Sequence, residues 1–218
     1  MKAIVFLADG FEECEGLITV DILRRAGIET VMASVMGRLE VDSSRHIVVR
    51  ADALAEDVDY ESADLIVLPG GRIGTDKLIA SELVRTKCLE FASCSCTGAD
   101  ADYTCTEADA DYTCTGADAG ESCTGADEGV RREKLVAAIC AAPTVLADLG
   151  LLEGREATCH PDCVSAMKGA VLTGRSVAAS GNIITGQALG ATFDFAFELV
   201  RRLAGEETVR KVRSAICY

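Results

Sequence analysis

The chain alternates short apolar runs with longer segments that have the spacing of amphipathic helices. Four runs predict β-strands, and the last two of them are apolar enough to be buried on both faces. These runs are Lys2–Leu7, Glu29–Ser34, residues 64–68 and Leu135–Ile139. Because helical segments separate the strands, the pattern predicts an α/β fold with a mostly parallel sheet and helices on both of its faces.

The remaining pattern divides into helices, short strands and turns. Gly27 ends the first helix and Gly205 separates the last two, since glycine accepts the backbone conformation found after a helix. The predicted helices are 16–26, 76–87, 143–149, 192–203 and 206–216. A hairpin-type excursion is expected at 41–49, with short strands or turns at 157–161, 171–178 and 182–185.

The strand at 135–139 stops at Cys140, and small residues lead to Pro143, which opens a helical segment. This order places the thiol at the carboxyl end of a buried strand, where ligands bind in open α/β sheets. The positive end of the following helix is expected to lower the thiol pKa. A cysteine among apolar residues is also a common core residue, and the local pattern does not separate the two interpretations.

Glu15, Gly70, Gly71 and His160 also follow predicted strands, so they converge on the same sheet edge as Cys140. A protonated glutamate can donate a hydrogen bond to a thiolate, and successive glycines can direct backbone N–H groups at an oxyanion. Each of these residues also has an interpretation without catalysis. The glutamate is then an acid in the first turn of a helix, the glycines form a turn, and the histidine has a structural role.

Composition narrows the class of protein. The chain has 218 residues, 49% of them hydrophobic, which suits one domain, 1–218, carrying an insertion. A net charge of −14 disfavours nucleic acid or an anionic membrane surface as partner. No apolar run reaches the length of a membrane helix, and acids interrupt the apolar start too early for a signal peptide. We therefore expect a cytoplasmic protein.

A nine-residue repeat interrupts this pattern at about 94–129 and contains five of the eleven cysteines. Its units begin at Cys96, Cys105, Cys114 and Cys123, and the acidic, polar composition suits a surface loop. A small solenoid and a loop that binds divalent metal are the other hypotheses. The dispersed cysteines outside the repeat are expected to be reduced thiols.

Taken together, these motifs resemble the ThiJ/PfpI superfamily, and within it the DJ-one-like branch. The matching segments cover nearly all of the chain outside the repeat, and their order is specific. They are residues 8–15, 20–27, 44–45, 67–71, 137–143, 160–161 and 182–185.

The resemblance implies a flavodoxin-like three-layer sandwich, a homodimer, and no cofactor or metal. It implies a reactive Cys140 on a nucleophile elbow, a protonated Glu15 hydrogen-bonded to it, and His160 nearby. The backbone N–H groups of Gly70, Gly71 and Ala141 would donate hydrogen bonds to the oxyanion. Arg45 would border the pocket. Relatives with protease-like claims have His where Ala141 stands, which makes a peptidase unexpected.

The function expected on this basis is a cysteine-dependent glyoxalase or deglycase. Its substrate would be a small carbonyl compound such as methylglyoxal, or the early adducts of such dicarbonyls on proteins. The alternative is a redox-sensing or chaperone-like protein whose Cys140 is oxidised without turnover.

Overall fold

The structure is a computed structural model that describes residues 1–94 and 133–218. The repeats from Cys96 to Cys123 lie outside the described residues, so the hypotheses about their order and metal binding stay open. Cys94 is the last residue of the first described range, and Lys134 is the second residue of the next. The backbone N–H of Lys134 donates to the carbonyl oxygen of Cys94 at 3.1 Å. The two ends of this segment are therefore adjacent.

The strands form one large sheet and two small pairs. They are β1 Lys2–Leu7, β2 Glu29–Ser34, β3 Glu40–Asp42, β4 Val48–Arg50, β5 Ala53–Leu54, β6 Leu65–Leu68, β7 Leu135–Ile139, β8 Glu156–Ala157, β9 Val171–Leu172, β10 Val177–Ser180 and β11 Ile183–Gly186. The seven-stranded sheet has the order β10-β11-β7-β6-β1-β2-β5. All of its neighbours are parallel except β10 and β11. The excursion at 41–49 is the antiparallel pair of β3 and β4, as predicted.

Helices cover both faces of this sheet. They are α1 Glu13–Arg25, α2 Arg72–Ala80, α3 Glu82–Ser93, α4 Pro143–Asp148 and α5 Thr192–Ala215. Alternate strand residues enter two separate cores, as in β1, where Phe6 faces the core under α2, α3 and α4 and Val5 faces the core under α1 and α5. The predicted three-layer α/β architecture is confirmed.

Helix boundaries differ from prediction in two regions, and side-chain capping explains the division of one helix and the early start of another. The single helix expected at 76–87 is instead two helices, which together extend from residue 72 to residue 93 and are divided at Ser81. The backbone of Ser81 is extended, and its Oγ caps α3 by accepting the N–H of Val84 at 3.4 Å. The first helix begins earlier than expected because Glu12 caps it, accepting the N–H of Glu15 at 2.7 Å. The predicted break at Gly205 is confirmed by its φ of 79° inside α5.

Asn182, just before β11, ties the two ends of the undescribed segment to the sheet. Its Nδ2 is fully buried and donates to the carbonyl oxygens of Phe91 at 3.1 Å, Ala92 at 3.2 Å and Lys134 at 3.0 Å. Phe91 and Ala92 lie in the last turn of α3, where the carbonyls lack the usual donor four residues on, and the amide donates to both; the carbonyl of Phe91 also accepts the N–H of Cys94 at 3.2 Å. Asn182 therefore fixes the end of α3 against the start of β7.

Replacing Asn182 with Ala is expected to lower the free energy of unfolding by about 2 kcal/mol, because buried carbonyls lose their donor. Urea unfolding followed by circular dichroism measures the change. The matched control is Gln187→Ala, since Gln187 makes one exposed hydrogen bond, to Gly174 at 3.4 Å. This control should stay within about 0.5 kcal/mol of the parent chain. Equal losses in both variants would contradict the assigned role of Asn182.

Candidate active site

The adjacent parallel strands β6 and β7 end side by side and bring the glycine turn against Cys140. A Cβ added at Gly70 would lie 2.5 Å from Oε2 of Glu15, 2.6 Å from Cβ of Cys140 and 2.9 Å from the carbonyl oxygen of Ile139. No side chain larger than a hydrogen fits in this space. The absence of a side chain at Gly70 thus allows Glu15, from α1, to contact the end of β7.

Cys140 occupies a strained turn between β7 and α4. Its φ is 66°, in the left-handed region that non-glycine residues rarely adopt and that costs on the order of 1–3 kcal/mol. Two hydrogen bonds hold the turn: its N–H donates to the carbonyl oxygen of Gly186 at 3.0 Å, and its own carbonyl accepts the N–H of His160 at 2.8 Å. The half-buried thiol therefore projects from a fixed backbone.

The Glu15 carboxyl group is almost completely buried, at 1% exposure. Its Oε2 accepts the backbone N–H of Gly70 at 2.9 Å, whereas its Oε1 has no hydrogen-bond donor among the described residues. Burial raises the pKa of Glu15 to about 7, and the negative charge of Glu12 adds to this, while the neighbouring Cys140 thiol and the N–H of Gly70 oppose the increase. A proton on this carboxyl group is therefore available near neutral pH.

The prediction that the helix dipole makes Cys140 acidic is wrong. Burial raises the pKa of the thiol to about 12, and the charge and hydrogen bond of Glu15 act in the same direction. The backbone N–H groups of Gly71 and Ala141 favour the thiolate but are outweighed. The following helix, α4, has only six residues. Since Cys140 and Glu15 interact, their pKa values belong to the pair, which releases one proton near neutrality and holds the second strongly.

His160 borders the nucleophile through its backbone. Its side chain is 38% exposed, and Nδ1 accepts the N–H of Asp162 at 3.2 Å. Because Nδ1 accepts this hydrogen bond, the proton of the neutral imidazole is on Nε2. The groups that shift the pKa of Cys140 are Glu15, Gly71 and Ala141, and the imidazole is not one of them.

The three predicted oxyanion residues lie around Cys140 but differ in what their N–H groups do. The N–H of Gly70 already donates to Glu15, so it holds the carboxyl group. The N–H groups of Gly71 and Ala141 are directed at the thiol. Gly71 has a φ of 88°, and a Cβ there would lie 2.3 Å from the carbonyl oxygen of Gly10. The donor pair is therefore Gly71 and Ala141.

Arg45 is exposed and its Nη1 donates to the carbonyl oxygen of Ser44 at 3.3 Å. Its backbone N–H helps to hold Glu13, which the sequence analysis did not single out. Burial pushes the pKa of Glu13 upward, but hydrogen bonds from its own backbone, Ser44 and Ser43 outweigh this and lower it. Two acids two residues apart on α1 thus differ: Glu13 is held ionised, while Glu15 is held close to its protonated form.

Glu12 is a second residue that the sequence analysis missed. It caps α1 through the N–H of Glu15 and its charge helps to raise the pKa of that residue. The run of acids before the helix was the signal, but the pattern does not show which carboxylate caps and which is buried.

Among the described residues, no cluster of three His, Cys, Asp or Glu side chains is arranged to hold a metal ion.

The fold and site define a three-layer α/β protein with a cysteine on a strained strand-to-helix turn beside a buried carboxyl group. The model of the DJ-1/PfpI family matches residues 1–95 and 124–202. The chain belongs to this family, and its flavodoxin-like fold and the DJ-one-like resemblance are confirmed.

Known proteins similar to the chain support this assignment. Protein DJ-1alpha of Drosophila melanogaster is 32% identical over 100% of the chain and 84% of its own length. The crystal structure of a mutant DJ-1 superfamily protein from Salmonella typhimurium has a TM-score of 0.79 at 30% identity, covering 100% of this chain and 98% of that one. A Caenorhabditis elegans relative, glutathione-independent glyoxalase DJR-1.2, is 26% identical over 94% of the chain and 90% of its own length. Across residues 1–94 and 133–218, no helix is long and apolar enough to span a membrane.

The opposite pKa shifts of Glu15 and Glu13 predict opposite effects of pH on stability. Glu15 holds its proton more tightly in the folded state, so it makes the fold less stable as pH rises from 4.5 to about 7. Glu15→Gln removes this loss. Relative to the parent chain, this variant should gain about 2–3 kcal/mol in unfolding free energy between pH 5 and pH 8, measured by urea unfolding.

Glu13→Gln is the matched control. Because the pKa of Glu13 is lowered in the fold, its carboxylate contributes stability above the unfolded pKa, and this contribution is lost as pH falls through the folded pKa. Relative to the parent chain, the Glu13→Gln variant should therefore lose stability as pH rises through the unfolded pKa of 4.5, and its difference from the parent should stay constant at higher pH. Parallel pH profiles for the two variants would contradict the assignment of their protonation.

Proposed function

We propose that the chain is a cysteine-dependent enzyme of the glyoxalase or deglycase type that acts on methylglyoxal-like dicarbonyls or their early adducts. The observation that carries the proposal is the contact between the Cys140 thiol and a buried Glu15 whose Oε1 lacks a donor. The glyoxalase name of the nematode relative supports the same class of reaction. The homodimer and the cytoplasmic location stay predictions.

Cys140 and Glu15 together keep one proton after the first has been released. In the reactive form this proton is on Glu15. A thiol beside a carboxylate and a thiolate beside a carboxylic acid have the same net charge, so the exchange adds no buried charge. In the second form Oε1 donates to the sulfur, which gives this oxygen a partner. The N–H groups of Gly71 and Ala141 favour the thiolate as well.

The first step forms a bond between the sulfur of Cys140 and the aldehyde carbon of methylglyoxal. The carbonyl electron pair moves to oxygen, which meets the N–H groups of Gly71 and Ala141 and takes the proton of Glu15. The product is a neutral hemithioacetal. Glu15 is left as a carboxylate, ready to act as a base.

Glu15 then removes the proton from the former aldehyde carbon, and the resulting enediol is protonated on the neighbouring carbon. This internal transfer converts the hemithioacetal into a lactoyl thioester. Water then breaks the carbon–sulfur bond, releasing lactate and restoring Cys140. We assign His160 as the proton carrier for this water, because its backbone N–H donates to the carbonyl of Cys140 at 2.8 Å and its side chain is 38% exposed.

The alternative is a redox-sensing or chaperone-like protein without turnover. The same arrangement favours it, because a neutral Glu15 can donate to an oxygen of a Cys140 sulfinic acid. In that case mild peroxide would add two oxygens to the peptide that contains Cys140, and no product would form from methylglyoxal.

Cys140→Ala is expected to lower lactate release from methylglyoxal at least about 100-fold, because the proposed reaction forms its covalent bond to the sulfur of Cys140. The release is measured with a lactate-specific assay on purified protein. Cys217→Ala is the control, since Cys217 is exposed at the end of the chain and should leave the rate unchanged. Equal lactate release from the parent chain and Cys140→Ala would falsify the proposal.

A further inference from the structure

Two thiols that the proposed reaction does not use flank His160. Cys159 is buried at 4% exposure, two residues after the end of β8. Cys163 is half-buried in the first turn of the short 3₁₀-helix Pro161–Ala166. Both are free thiols. The side chains pack on the same core, Cys159 inside it and Cys163 against its edge.

The backbone turns at His160 so that both cysteines meet one oxygen atom. The Sγ of Cys159 donates to the carbonyl oxygen of His160 at 3.3 Å, and the backbone N–H of Cys163 donates to the same oxygen at 2.8 Å. The distance from the Sγ of Cys159 to the backbone nitrogen of Cys163 is therefore less than the sum of these two distances. Burial raises the pKa of Cys159, and the nearby charge of an ionised Cys163 raises it further.

We propose that Cys159 and Cys163 form a reversible disulfide that closes a ring around His160. The short turn supplies the close approach of the two residues that a disulfide requires. Cys163 is the more accessible partner; burial and the charge of Asp162 raise the pKa of its thiol, and the positive charge of Arg72 opposes them only in part. Cys159, enclosed by the core, is the partner that completes the ring.

The oxidant is a small disulfide such as oxidised glutathione. The thiolate of Cys163 attacks one of its sulfur atoms, forms a mixed disulfide and releases one glutathione thiolate. The thiolate of Cys159 then attacks the Cys163 sulfur and releases the second glutathione. Two protein thiols are oxidised, one glutathione disulfide is reduced, and the two thiol protons pass to the released glutathione.

The ring lies one hydrogen bond from the nucleophile. His160 is inside it, and the His160 N–H holds the carbonyl of Cys140 at 2.8 Å. Oxidation would therefore fix the residue beside the elbow while leaving Cys140 reduced. This site differs in residues and in product from sulfinic acid formation on Cys140, and it does not depend on the proposed turnover.

The test is an equilibrium titration of the whole chain in buffers of reduced and oxidised glutathione. After acid quenching, free thiols are alkylated and the chain is digested with trypsin. Cleavage after Arg155 and Lys168 places Cys159 and Cys163 together in residues 156–168, while Cys140 lies in residues 135–155. We expect residues 156–168 to lose both alkylation sites together and to lack both thiol hydrogens, and dithiothreitol to restore both sites.

Cys163→Ser should abolish the protected peptide, and the matched variant Cys217→Ser should leave it unchanged. A mixed disulfide with glutathione on Cys163 that never closes would overturn the proposal. So would a disulfide from either residue to Cys140, or full alkylation of residues 156–168 throughout the titration. Because the parent chain alone gives these outcomes, the test does not depend on how well the variant folds.

Discussion

The site depends on the contact of a buried carboxyl group with a thiol across a position that only glycine can occupy. Glu15 comes from the first helix, Gly70 from the turn after β6, and Cys140 from the turn after β7. The N–H of Gly70 fixes one carboxyl oxygen and leaves the other without a donor. Burial of that carboxyl raises its pKa to about 7, so the chemistry of the thiol depends on where one shared proton resides.

The rest of the fold keeps this contact in place. Parallel pairing of β1, β6 and β7 sets the carboxyl ends of these strands at one edge. The carbonyl of Gly186 and the N–H of His160 hold the strained backbone of Cys140 from two sides. A left-handed conformation at a non-glycine residue persists only where the surroundings determine it. The sheet therefore stabilises the geometry that the reaction requires.

Much of this arrangement is predictable from the sequence, because buried strands leave a strong apolar signal. The bounds of β1, β2 and β7 agree with the prediction, and so does the helix break at Gly205. The division at Ser81 was missed because a serine inside a helical pattern caps only when the backbone turns there. The acidity of Cys140 was predicted from the local helix. Burial and the charge of Glu15 raise the pKa of Cys140 instead, and both arise from tertiary packing that no short sequence pattern shows.

The most direct test of the account is the pH dependence of Cys140 alkylation in the parent chain and in Glu15→Gln, followed on residues 135–155. Because the negative charge of Glu15 raises the pKa of the thiol, the Glu15→Gln thiol should titrate at least about one pH unit below the parent thiol. A Glu15→Gln thiol that titrates at the same pH as the parent thiol, or at a higher pH, would contradict the account. It would show that the buried carboxyl group does not control the proton on the sulfur.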